Sequence, residues 1–79
     1  MFKVGDWVVL AALPEWVSRL PAESQAVFRF CLGRAYRVAE ITEHGFLVLD
    51  VSIDVDKVLG GYMNDIRVET DYVTRSVPR

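Results

Sequence analysis

Apolar and polar residues alternate most regularly in the middle of the chain. Leu47, Leu49, Val51, Ile53 and Val55 fall on one side of an extended backbone, and Val48, Asp50, Ser52, Asp54 and Asp56 on the other. This alternation predicts a strand over residues 47–55 with an aliphatic inner face and a mostly acidic outer face. Shorter runs predict further strands: a first from Trp7 to about Leu13, a second from Ala35 to Ile41, a fourth from Ile66 to Glu69 and a last from Val73 to Val77. Inward positions on these strands give a core of Val8, Leu10, Tyr36, Val38, Leu47, Leu49, Val51, Ile66 and Val68. Thr42, Glu43, His44 and Gly45 read as a hairpin turn, Thr70, Asp71 and Tyr72 as a tight turn, and residues 57–65, with Gly60 and Gly61, as a loop.

A different period interrupts the strands. Pro14 ends the first strand, because proline cannot donate to a central ladder. Residues 15–20 suit one helical turn, and residues 21–32 a helix with Pro21 in its first position and Gly33 as its stop. On a helical wheel Ala26, Val27, Phe28, Phe30, Cys31 and Leu32 cover well over half the circumference, leaving Gln25 and Arg29 as the polar strip. Phe28 and Phe30 point about 160° apart, so one side of a small sheet cannot cover both. The second ring is covered either by the segment around Trp16 or by another molecule. The whole pattern predicts one domain over residues 1–79, mainly β: a small five-stranded barrel with one α-helix inserted after the first strand, the insertion spanning about residues 14–32.

Composition narrows the classes. Cys31 is the only cysteine, which excludes an intrachain disulfide and a cysteine-rich zinc site and suits a reducing cytoplasm. The opening residues place Asp6 and a turn glycine where a signal peptide needs a long apolar run, and nothing approaches a bilayer-spanning stretch. The formal net charge is -2, against generic phosphate binding. Residues 1–39 carry five bases and three acids, whereas residues 40–71 carry eight acids against Lys57 and Arg67. Such asymmetry can steer a partner or a second copy of the chain.

Candidate chemistry is sparse. His44 sits in a turn beside Glu43 with no nucleophile at recognisable spacing, and Cys31 lies on the apolar face of the helix; the pattern assigns no catalytic residue. Asp54 and Asp56 would lie roughly 7 Å apart along a strand, too open for a metal site, and no cofactor motif is present. Trp16, Tyr62 and Met63 are bulky residues on predicted connecting segments, and Phe28 and Phe30 overfill the helix; each serves local packing or a binding surface equally well. Arg19, Arg29, Arg34 and Arg37, near Trp16 and Tyr36, form the one basic-aromatic cluster, the basis for a secondary reading as a nucleic-acid-associated barrel.

Several short segments resemble the Src homology 3-like small-barrel superfamily. Lys3-Val4-Gly5-Asp6-Trp7-Val8-Val9 resembles its opening turn and first strand. Gly33-Arg34-Ala35-Tyr36-Arg37-Val38 with Gly45-Phe46-Leu47-Val48 resembles its central hairpin. Glu69-Thr70-Asp71-Tyr72-Val73 is similar to the turn before its last strand. Members that bind Pro-rich peptides use an acid-rich aromatic first loop and a tandem tryptophan, which this chain lacks; of their groove residues only Tyr72 has a counterpart. The chain is also similar to the small barrel of the nitrile hydratase β subunit, which packs on larger partners, and to small bacterial proteins that pair this barrel with an inserted helix. The resemblance implies a non-enzymatic interaction or accessory module. Its partner would be another protein or a second copy of itself, met through Trp16, Phe28, Phe30, Tyr62, Met63 and Tyr72.

Overall fold

Five strands form one antiparallel sheet in the order β4-β3-β2-β1-β5. The computed structural model describes residues 1–58 and 65–78, and the side chains of all of these except 56–58. Strands β1 (Trp7–Leu10), β2 (Ala35–Ile41), β3 (Leu47–Asp50) and β4 (Asp65–Val68) follow one another across the sheet, and β5 (Val73–Arg75) returns to the free side of β1. The ladder is open, with β4 and β5 at its edges, so its hydrogen bonding does not close the barrel expected from the sequence. The second strand lies where the alternation predicts it; the first and last are shorter than predicted.

Cross-strand register explains the core. Val8 faces Tyr36, Val38 faces Leu49, Leu49 faces Ile66, Leu47 faces Val68 and Leu10 faces Val73. Each pair joins two inward residues, so one sheet face becomes continuously apolar. All nine expected core residues are buried. A bulge between Val38 and Glu40 bends β2, as an extra residue in one strand does.

Between β1 and β2 the chain makes a 3-10 helix (Glu15–Arg19) and then α1 (Ala22–Cys31). Pro21 precedes α1 as its N-cap, one position earlier than predicted, and Gly33 stops it with φ +81°. Val27, Phe28 and Cys31 are buried against the sheet. The wide apolar arc is covered largely from within: the Trp16 ring meets Phe28 edge-on, with centroids 5.5 Å apart, and the Arg34 guanidinium lies 4.2 Å from the centre of the Phe30 ring. Leu32 stays 42% exposed.

The long strand expected over residues 47–55 is corrected. It stops at Asp50, and Ser52–Val58 is a second helix, α2. Asp50 turns the chain: its Oδ1 accepts hydrogen bonds from the Ser52 backbone N–H at 3.1 Å and the Ser52 hydroxyl at 2.7 Å. Val51 and Val55 are one helical turn apart and both fully buried, a spacing compatible with either period. Ile53 and Asp54 decide between them. Ile53, expected inside, is 59% exposed, and Asp54, expected on a solvated acidic row, is 9% exposed.

Asp54 is buried because Tyr36 meets it. The Tyr36 hydroxyl donates to Asp54 Oδ2 at 2.6 Å, and the Cys31 thiol shares a hydrogen bond with the same hydroxyl. Burial, then the bonds to Asp54 and Cys31, push the Tyr36 phenol far above its usual range, and burial also raises the Cys31 thiol. In both cases the folded state holds a proton that the unfolded chain releases at alkaline pH, so stability is full below the unfolded values and falls as pH rises past them. The wild type is therefore expected to resist urea less as pH rises past about 8.5, where the unfolded Cys31 thiol titrates, and less again past about 10. Tyr36→Phe, less stable at neutral pH by about 1–3 kcal/mol, loses less with each further pH unit. Parallel slopes for the two proteins would contradict this role of Tyr36.

Candidate functional site

Trp16 is fixed from two directions. Pro14 and the buried Val17 seat the 3-10 helix on the sheet, which places the Trp16 ring over Phe28. The indole Nε1–H donates to the carboxylate of Glu69 at 3.0 Å and 3.2 Å. Beside this bond the Ala11 and Ala12 N–H groups donate to the Tyr72 carbonyl at 2.8 Å and 3.3 Å. The insertion is thus stitched to the segment that leads into β5, and Trp16 remains half-buried.

The β2–β3 turn builds a second wall. Gly45 adopts φ +84°, a left-handed conformation that favours glycine. The Thr42 carbonyl accepts from Gly45 N–H at 2.9 Å, and the Thr42 hydroxyl accepts from Phe46 N–H at 3.1 Å. Phe46 is half-buried. Between the walls lies an open groove of about 620 Å³ lined by Trp16, Thr42, His44, Phe46 and Arg67. Arg67 reaches it from an outward position on β4. A smaller hollow of about 260 Å³ shares Trp16 and Arg67 and continues towards Leu20, Ser24 and Asp65.

The binding residues expected from the sequence fall into three groups. Trp16 and Phe28 are brought together, with Phe28 only 3% exposed beneath the indole. Phe30 lies apart from them under Arg34, and Tyr72 is half-buried against the core. Tyr62 and Met63 lie outside the described residues. Phe46, Thr42 and Arg67 were not singled out by sequence reasoning. The available signals were an aromatic residue directly after a turn glycine and a lone arginine on the outward face of β4.

Other candidate chemistry is dispersed. His44 is exposed, with Nε2 3.7 Å from Glu43 Oε1. Cys31 is fully buried. Of the arginines, Arg29 donates to Gln25 Oε1, Arg34 covers Phe30, and Arg37 stands opposite Asp50 in the β2–β3 register. Among the described residues no group of three His, Cys, Asp or Glu side chains is placed to hold a metal ion, and no helix is long and apolar enough to cross a membrane.

No family model, curated protein or solved structure matches the chain. Its site is therefore read from its own geometry.

That geometry makes Glu69 the support of Trp16. Glu69→Ala is expected to speed exchange of the Trp16 indole proton with solvent by about tenfold or more, the scale of a lost charge-assisted hydrogen bond. Proton exchange measured by NMR checks it, with the Trp7 indole as internal control. Unchanged exchange at Trp16 would show that the carboxylate does not hold the ring.

Proposed function

We propose that this chain is a non-enzymatic protein-interaction module on a Src homology 3-like small barrel, and that its partner docks between Trp16 and Phe46. One observation carries the reading. Two half-buried aromatic residues from segments far apart in sequence, Trp16 and Phe46, line one open groove, with the Trp16 indole N–H bonded to Glu69 and the Phe46 backbone N–H to the Thr42 hydroxyl. Rigid, partly exposed aromatic rings are the usual anchors of protein interfaces. Among the described residues the titratable side chains lining the groove are His44 and Arg67.

The barrel part of the proposal draws on the resemblance in sequence and on two features of the fold. Only residues 69–72 separate β4, at one edge of the sheet, from β5, at the other. A 3-10 helix at Thr70–Tyr72 makes the short turn into β5. A single cysteine, Cys31, that is buried in the core fits a cytoplasmic setting.

Selection of phage-displayed peptides on the folded chain tests the function. Enriched peptides are expected to shift the amide resonances of Phe46 and Arg67 and the indole resonance of Trp16. Phe46→Ser is expected to weaken them by about tenfold or more, as loss of an interface anchor does. No enrichment, or shifts confined to the β5 edge, would contradict the reading.

A further inference from the structure

We infer that the Trp16–Phe46 groove takes a short acidic segment of a partner protein. An apolar side chain of that segment sits between the two rings, and a carboxylate meets Arg67 and His44. The inference rests on the interaction-module reading and adds the chemistry of the partner.

The sign of the groove is the first observation. Residues 40–71 carry eight acids and only Lys57 and Arg67 as bases. Yet among the described residues the basic side chains that line the groove are Arg67 and His44, and no acid is among its lining. A basic floor in the acidic part of the chain is complementary to a carboxylate. It is also opposite in sign to the acid-rich loop used for Pro-rich peptides.

The availability of Arg67 is the second. Among the described residues the Arg67 side chain makes no hydrogen bond or ion pair, although Asp65 lies two positions away on the same strand face. Its exposed guanidinium keeps all its donors, which match a carboxylate in bidentate geometry. Across the groove the Thr42 hydroxyl accepts from Phe46 N–H and keeps its own proton to donate. The aromatic walls supply the apolar part of the site, and about 620 Å³ suits a few side chains rather than a folded domain.

The rim argues against a polyanion. Glu43 lies 3.7 Å from His44, Asp65 lines the adjoining hollow, and Glu69 stands behind Trp16. A nucleic-acid strand, with a phosphate on every unit, would meet these carboxylates in any register. A segment with one well-placed carboxylate avoids them.

Three pools of random octapeptides test the inference. They share the same apolar residues and carry either Asp and Glu, or Asn and Gln, or Lys at the remaining positions. Binding is followed by NMR at Phe46, Arg67 and the Trp16 indole. The acidic pool is expected to bind about tenfold more tightly than the amide pool, the scale of a charge-assisted hydrogen bond. Arg67→Glu, an exposed change that leaves the core intact, is expected to abolish that preference and favour the lysine pool. Equal binding of the amide or lysine pool in the groove overturns the acidic preference and leaves the interaction module standing. Failure of all three pools overturns both. Tighter binding of oligothymidylate at these residues replaces the peptide with nucleic acid. Self-association that Arg67→Glu abolishes replaces it with a second copy of the chain.

Discussion

The Tyr36 side chain is where both helices are fixed to the sheet. Its ring fills the core from β2, and its hydroxyl meets Asp54 of α2 and Cys31 of α1. A carboxylate placed in an apolar core is costly unless it is hydrogen-bonded. The phenol supplies that bond, so the position of α2 depends on Tyr36 staying protonated and in place. A domain of this size has little stability in reserve, and this polar contact specifies how the helices sit as well as holding them.

Around that point the insertion completes the molecule. A helix as apolar as α1 would expose Phe28 if it lay alone on the sheet. The 3-10 helix before it folds Trp16 over Phe28 and is tied in turn to Glu69 and the Tyr72 carbonyl. Covering Phe28 from within has a consequence for function. Trp16, which covers it, also lines the groove with Phe46.

Much of the fold is legible in the chain because strands with one buried face must alternate. Val8, Leu10, Tyr36, Val38, Leu49 and Ile66 lie where that alternation puts them. The same logic misled at residues 51–55. Val51 and Val55 satisfy a strand and a helix alike, and the β-branched run favoured the strand. What distinguishes them is local polar chemistry: Asp50 bonding to Ser52 turns the chain, and Asp54 finds a phenol that lies far away in sequence. The groove was hidden for a related reason. Trp16 was visible as a bulky loop residue, but Phe46 and Arg67 acquire meaning only when the hairpin turn and β4 are brought beside the insertion.

The central claim is that the insertion closes on its own sheet and leaves the groove as the surface offered to a partner. Nuclear Overhauser spectroscopy of the free chain tests it most directly. Cross-peaks between the Trp16 indole ring and the Phe28 ring are expected, matching a centroid separation of 5.5 Å, in a chain that sediments as a monomer. Absence of those cross-peaks, with Phe28 protected only in a self-associated form, would contradict it and return α1 to the role of contact surface.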